Sequence, residues 1–426
     1  MKVVKADGTT ERELLTLLKQ RSGDMNAQIT QSAAQIIELV RAGGDDAVRR
    51  LTEQYDGVAP ENIVVDRRQI EASLETRDSK FVYALYRAAD NIRDYHARQK
   101  REGFINARPD GVMMGQRVRP LKRVGLYVPG GTAAYPSTVL MNAIPAKIAG
   151  VEELVMVTPP AKTGSANPNI LAAAAVAGVD KIYLMGGAQA VAALAYGTET
   201  VQRVDKIVGP GNAYVAAAKK LLYGTVDIDM IAGPSEILIV ADGTANPKFL
   251  AADLMSQAEH DVMASAILLT TSEQLAKDTI AEINRQKKDL SRREIITKSL
   301  DTFGAVIICD TIEQAIAFAN EVAPEHLELA LDRPMDYLGM VENAGSVFLG
   351  HYCPEPLGDY YAGPNHVLPT NGTARFFSPL SVDSFMKKSS FLYYTPQALE
   401  QAKEDVIRLA ESEGLTAHAN SIKVRF

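Results

Sequence analysis

The chain has 426 residues, 46% apolar and 23% charged, a balance ordinary for a soluble globular enzyme of two or three folding units. Its 45 Lys and Arg against 52 Asp and Glu give a formal net charge of −7, and that mild acidity argues against a nucleic-acid-binding surface as the main function. No apolar run approaches the roughly 18 residues of a membrane span and residues 1–15 lack a signal-peptide apolar core, so a cytoplasmic protein with no membrane association is expected.

Residues 10–100 read as helices. Ile36, Ile37 and Val40, then Val48 and Leu51, recur at three- and four-residue spacing, and Gly43-Gly44 breaks the two stretches. Residues 81–98 form a third amphipathic stretch, on which His96 reads as structural or solvent-facing rather than catalytic. From residue 122 short β-rich runs at 124–128, 153–157, 181–185 and 206–208 alternate with helical runs at 139–149, 170–177, 190–195 and 213–222. A second set follows, with strands at 237–240, 264–270, 305–308, 327–331 and 346–349 and helices at 247–260, 272–286 and 312–322. This alternation indicates parallel βαβ units, two α/β units side by side. Their ligand crevices are expected at the carboxyl ends of the strands. After residue 380 the pattern loosens. A helix falls within 391–406, 421–426 reads as a closing strand, and such a terminal arm often docks on a neighbour. Cys309 and Cys353 form no CxxC pair, so neither a disulfide framework nor a cysteine-rich zinc site is expected. Cys309 ends the run Val306-Ile307-Ile308 and reads as buried and reduced.

Three glycine-rich loops follow strand candidates: Val128-Pro129-Gly130-Gly131, Met185-Gly186-Gly187-Ala188-Gln189 and Val208-Gly209-Pro210-Gly211-Asn212. Glycine lets backbone N–H groups approach a phosphate, and the following helix offers its positive end. NAD would suit such turns, although tight turns are the usual work of glycine. No run matches G-x-G-x-x-G; after Gly209 and Gly211, Tyr214 stands where the third glycine would be.

The six histidines are His96, His260, His326, His351, His366 and His418. Gln257 and His260 are three apart on a predicted helix and share a face. Nitrogen and oxygen donors without thiolate suit Zn²⁺, with Mn²⁺ or Co²⁺ also able to bind; the bland alternative is an exposed helical face that also bears Glu259. Glu325-His326 follows Pro324 at a helix boundary. A turn there could aim both side chains at one pocket, as two proton acceptors of different basicity, although a Glu-His dipeptide is usually loop surface. Asp359 lies in a polar loop that runs on to His366 and offers a carboxylate oxygen. His418 follows Glu413 near the end of the chain.

Taken together, these segments resemble histidinol dehydrogenase. The most specific is Ile228-Asp229-Met230-Ile231-Ala232-Gly233-Pro234-Ser235-Glu236. It is supported by the three glycine loops, by Ser256-Gln257-Ala258-Glu259-His260-Asp261, by Ala323-Pro324-Glu325-His326-Leu327, by Asn365-His366-Val367-Leu368-Pro369-Thr370 and by Leu415-Thr416-Ala417-His418. The resemblance covers about residue 30 to the end. It implies two Rossmann-like, incomplete dinucleotide-fold α/β domains with a helical N-terminal region and an extended C-terminal tail. The divisions expected are an N-terminal segment at 1–20, residues 21–123 packing with 236–380 as the metal and substrate domain, an NAD-binding domain at 124–235, and a dimerisation tail at 381–426. It implies oxidation of L-histidinol to L-histidine through L-histidinal with two NAD⁺, the last part of histidine biosynthesis. One Zn²⁺ per subunit would be held by Gln257, His260, Asp359 and His418. Tyr127, Gln189 and Asn212 would line the NAD⁺ site. Ser235 and Glu413 would contact substrate alongside the metal ligands and His326, and Glu325 and His326 would form the acid–base pair. The implied assembly is a homodimer whose tail carries His418 into the partner's site. The loop after Asp359 departs from the family pattern at Tyr361 and Pro364, and the stretch between Asn212 and Asp229 reads as a trimmed surface loop.

Three other readings compete. Some relatives oxidise other primary alcohols, but the presence of Ser235, Glu325, His326 and Glu413 favours histidinol. A zinc hydrolase would also place a glutamate beside a metal, but the glycine turns and twin α/β layout speak against it. A non-catalytic binding module fits poorly with so complete a set of ionisable site residues.

Overall fold

Continuous apolar runs set the strands, and burial on both faces makes them parallel and helix-covered. The computed structural model describes residues 1–23, 27–58, 60–130 and 135–426; Gly131, which ends the first glycine loop, lies outside them. In chain order the strands are β1 (Lys2–Lys5), β2 (Phe104–Ala107), β3 (Met113–Pro120), β4 (Arg123–Tyr127), β5 (Glu153–Thr158), β6 (Lys181–Leu184), β7 (Lys206–Val208), β8 (Asp227–Ile228), β9 (Glu236–Ala241), β10 (Ser265–Thr270), β11 (Gly304–Ile308), β12 (His326–Ala330), β13 (Ser346–Leu349) and β14 (Met386–Tyr393). The described residues divide into two units, Met1–Gln99 with Leu121–Phe385 and Lys100–Pro120 with Met386–Phe426.

The first unit holds two parallel sheets. One runs β6-β5-β4-β7-β8 and the other β1-β11-β10-β9-β12-β13. The α/β class and the paired sheets agree with the sequence reading, and the strands predicted between 124 and 349 fall within one residue of those observed at each end. β1 was not anticipated; it pairs along the edge strand β11. The helix Ala27–Asp56 contains Gly44 at φ +52° and ψ −136°, so it is two helices joined at the predicted glycine break.

Its apolar stripe, Ala33, Ile36, Ile37, Val40, Val48 and Leu51, is buried with Leu194, Ala218 and Leu222 beside the five-stranded sheet. Helix Ser79–Ala97 likewise packs on Pro136–Ala149 and Pro168–Ala177. Helix Ser79–Ala97 also reaches residues of 236–380, with Asn91 Nδ2 donating to the Tyr361 carbonyl at 2.8 Å. The alanine-rich faces of Gly187–Tyr196 and Ala213–Leu222 leave grooves that branched side chains fill. His96 on Ser79–Ala97 is fully buried, with Nδ1 2.9 Å from the Ile92 carbonyl oxygen, and is structural. At the kink Glu199 accepts the Asp45 N–H at 2.8 Å, and a Cβ on Gly44 would collide with that carboxylate. Gly44→Ala is expected to cost about 1–3 kcal/mol, read as a lower urea midpoint at unchanged slope.

The second unit holds the antiparallel sheet β14-β3-β2 and the helices Pro396–Ser412 and Thr416–Lys423. The helix expected within 391–406 is Pro396–Ser412. The closing strand expected at 421–426 is corrected: the chain turns at Gly414 (φ +73°) and re-enters helix. A strand needs an edge to bond, whereas Thr416-Ala417-His418-Ala419 satisfies its backbone locally, with Ala419 N–H on the Leu415 carbonyl and Val424 N–H on that of Asn420.

Residues 229–235 join the carboxyl end of β8 directly to the amino end of β9. A crevice between the sheets is thus walled by carboxyl ends of the five-stranded sheet and by amino ends of the six-stranded one. Only the first half of the expected carboxyl-end placement applies, because this direct crossing reverses the second sheet's contribution.

Candidate active site

Ser235 is the last residue before β9, Glu325 the last before β12, and His326 the first of β12. β9 and β12 are parallel neighbours with His326 beside Ile237, so one sheet edge presents all three side chains. The chain turns at Ala323 (φ +51°) before Pro324, and both Glu325 and His326 face the same cleft. Glu325 Oε2 accepts the Glu236 N–H at 2.9 Å, and Glu236 Oε2 accepts the Glu325 N–H at 3.4 Å. Helix Pro247–Ala258 stops short of the expected residue 260, but His260 N–H bonds back to the Gln257 carbonyl at 3.2 Å. Both side chains therefore still reach the cleft. Asp359 enters from the short helix Glu355–Tyr360. Together with Asn212 these residues wall a cleft of about 420 Å³.

His326 is the electrostatic centre. Its Nδ1 is 3.6 Å from Glu325 Oε2, and its Nε2 is 3.7 Å from Asp359 Oδ1 and 3.8 Å from Glu355 Oε1. Burial opposes its charging, but the Glu325, Asp359 and Glu355 carboxylates outweigh that and push its pKa up to about 10. Burial raises Glu325 to about 7, with the imidazole beside it pulling the other way. Glu355 rises to about 8 through burial and the nearby Asp359. For Asp359 burial works upward, but the adjacent His326 and His366 rings win and hold it well below the usual carboxylate range. His326, Glu355 and Asp359 place ligand atoms within 4.8 Å of one another, close enough to hold a metal ion.

On the five-stranded side, Asn212 lines the cleft while its side chain caps helix Ala213–Leu222, accepting from Tyr214 N–H and Val215 N–H. Tyr127 and Gln189 are buried behind it. The Tyr127 hydroxyl accepts the Gly187 N–H at 2.9 Å, and burial pushes its phenol up to about 12. Both amide atoms of Gln189 lack a hydrogen-bond partner among the described residues. Gly187 and Gly209 adopt φ +62° and +111°, and a Cβ on Gly209 would strike the Tyr127 backbone.

The family model of histidinol dehydrogenase matches residues 19–426. A histidinol dehydrogenase of Clostridium acetobutylicum is 57% identical over 421 residues, 99% of this chain and 98% of its own. One from Listeria monocytogenes is 53% identical over 418 residues, 98% of each. The crystal structure of histidinol dehydrogenase from Elizabethkingia anophelis matches with a TM-score of 0.93 at 39% identity, covering 100% of this chain and 98% of that one. This chain belongs to the histidinol dehydrogenase family. It is an enzyme with histidinol dehydrogenase activity in histidine biosynthesis.

The histidinol dehydrogenase family implies zinc and NAD, and the residues present fit both. Gln257 is buried with an unpartnered carboxamide oxygen, and His260 and Asp359 share its cleft. On the NAD side Gln189 is buried with both amide atoms unpartnered, and the turns at Gly187 and Gly209 adopt positive φ, which suits close backbone approach to a dinucleotide. The compact His326, Glu355 and Asp359 group shares only Asp359 with the expected zinc ligands. Glu413 and His418 belong to the second unit, where both are exposed; the first unit supplies every lining residue of the cleft.

Sequence reasoning passed over Glu236, Glu355, Thr370 and Lys219. Glu355 was within reach, since it lies four residues before Asp359, one helical turn away. Glu236 and Lys219 act through strand register and burial, which one-dimensional spacing does not carry. No helix of the described residues is long and apolar enough to cross a membrane.

Proposed function

We propose that this enzyme oxidises L-histidinol to L-histidine through L-histidinal with two NAD⁺, using Glu325 and His326 as its acid–base pair. The observation that carries this reading is the buried, unpartnered Nε2 of His326 beside Asp359 in the cleft. Nδ1 lies 2.9 Å from both the Glu236 carbonyl oxygen and the Gln257 amide nitrogen. A carbonyl only accepts, so that contact requires Nδ1–H, and in the neutral ring the lone pair then lies on Nε2. It also releases the Gln257 carboxamide from the ring, free to turn its oxygen elsewhere.

In the first oxidation Nε2 takes the carbinol O–H proton as hydride leaves the carbon for the nicotinamide. In the second, Glu325 takes a proton from water as its oxygen adds to the aldehyde. The protonated His326 returns its proton to the aldehyde oxygen, completing the hydrate; the freed ring then accepts a hydrate O–H proton while a second hydride leaves for a second NAD⁺, and the acid product ionises. Gln257, His260 and Asp359, with His418 from a second copy of the chain, would hold zinc; when bound, the ion supplies a charged template for the substrate's amine and imidazole. A cation held by Asp359 would offset the negative field that raises His326 and favour the ring as a base near neutral pH. Tyr127, Gln189 and Asn212 would serve the NAD⁺ side, and Ser235 and Glu413 the substrate.

Dimerisation through the second unit is supported by its exposed apolar residues, among them Ile105, Leu392, Leu409 and Val424. The test is a zinc-replete assay that counts products: two NADH and one histidine per histidinol are expected. One NADH with accumulating aldehyde, or equal turnover of simple diols, would sink the assignment.

A further inference from the structure

Two loops on the cleft, 209–212 after β7 and 229–235 after β8, are cross-linked from behind by a buried ion pair. Lys219 of helix Ala213–Leu222 and Asp229 have side chains 3% and 1% exposed. Lys219 Nζ donates to Asp229 Oδ1 and, at 3.1 Å, to the Gly209 carbonyl. Asp229 Oδ2 accepts the Gly209 N–H at 2.7 Å and Oδ1 the Met230 N–H at 2.7 Å. The pair thus holds both backbone groups of Gly209, a residue at φ +111° packed on the Tyr127 backbone. Asp229 and Met230 line the cleft while the Lys219 and Asp229 side chains are buried, and the chemistry above makes no use of the pair.

The two loops are not equally dependent on it. The 229–235 loop has further ties: Gly233 N–H donates to Thr370 Oγ1 at 2.8 Å, Ser265 N–H to the Ser235 carbonyl at 3.0 Å, and Glu236 N–H to Glu325. The Gly209-Pro210-Gly211 turn is held at its first residue by Lys219 and Asp229 and at its far end by Asn212, which caps its own helix. Without the pair, the turn that presents Asn212 moves more than the loop that presents Ser235.

We propose that Lys219 and Asp229 are positioning residues for the bound dinucleotide, fixing the 209–212 turn against the cleft. This rests on the reading that Asn212 faces NAD⁺. A buried ion pair is a poor source of stability compared with apolar packing, whereas three directed bonds to the backbones of Gly209 and Met230 suit the fixing of a turn whose small displacement is costly to binding and reaction.

The test uses the zinc-loaded enzyme and the variant Lys219→Met/Asp229→Asn, which strands no buried charge. NADH binding is measured by its fluorescence without histidinol, together with KM for each substrate and zinc per chain. The NADH Kd and the KM for NAD⁺ are expected to rise at least about tenfold, the KM for histidinol to stay within about threefold, and zinc to stay unchanged, since displacement is confined to one loop. Unchanged NADH binding, or parallel losses of zinc and both substrates, overturns the proposal. Should the double variant not fold, Lys219→Gln, which shortens the reach to Gly209, carries the same readouts. Asn212→Ser, which keeps a capping oxygen, separates the two levels. If it weakens NADH binding and the pair variants do not, the pair has no positioning role and the site reading stands. If it leaves NADH binding intact, the site reading itself fails.

Discussion

Glu325→Gln is expected to leave the first oxidation running and stop the second, so that histidinol yields one NADH and aldehyde accumulates. With histidinal supplied directly, NADH formation should fall by about 10²–10⁴, the usual worth of a positioned general base. Burial raises Glu325 to about 7, which suits a base near neutrality. Below that value the carboxyl holds its proton and cannot take one from water. The second oxidation of the unaltered enzyme should therefore rise with pH through about 7 and level off above it, and the Gln variant should lack that limb. Gln can still accept the Glu236 N–H that Glu325 Oε2 accepts at 2.9 Å, so loss of fold is not the anticipated cause. Rates of histidinal oxidation on either side of neutrality decide the matter, and full turnover by the variant would remove Glu325 from its assigned role.

His260→Ala should release the metal, while Glu355→Gln should keep it. Two ligand sets compete: Gln257, His260 and Asp359, which line one cleft, and His326, Glu355 and Asp359 in the compact cluster. We favour the first because it leaves His326 free as a base and gives the orphaned Gln257 oxygen a partner. Loss of an outer-shell partner alone lowers metal affinity about 10–100-fold, so loss of a ligand should exceed that and bring activity down with it. Zinc per chain after dialysis is the direct measure. A second is the thermal shift on adding zinc, since an excess of 100 Kd stabilises by about 2.7 kcal/mol, and that shift should vanish in His260→Ala. Zinc retained by His260→Ala but lost from Glu355→Gln would transfer the ion to the compact cluster.

The legibility of the site varied with the kind of information each residue needs. Gln257 and His260 both reach the cleft because three-residue spacing survives even where the helix stops at Ala258. Glu325 and His326 were flagged as neighbours after a proline, but their common direction depends on the Ala323 turn. The glycine loops after β4, β6 and β7 were visible as motifs. That Tyr127 and Gln189 lie behind the Gly186-Gly187 turn rather than on the cleft wall was not. The closing strand at 421–426 failed for a related reason: alternation marks a strand only where an edge is open to it.

By itself the sequence determined the α/β class, the strand positions between 124 and 349, and membership in the histidinol dehydrogenase family. Periodicity, glycine turns and ordered motifs are local properties that survive being read in one dimension. Only the tertiary structure decided that the helices of 27–97 cover the five-stranded sheet, that the cleft combines carboxyl ends of one sheet with amino ends of the other, and that Lys219 meets Asp229 behind it. Those facts depend on which surfaces are complementary in shape and on where the chain crosses between sheets. Such pairings join residues distant in sequence, and their energy comes from burial that no local pattern records.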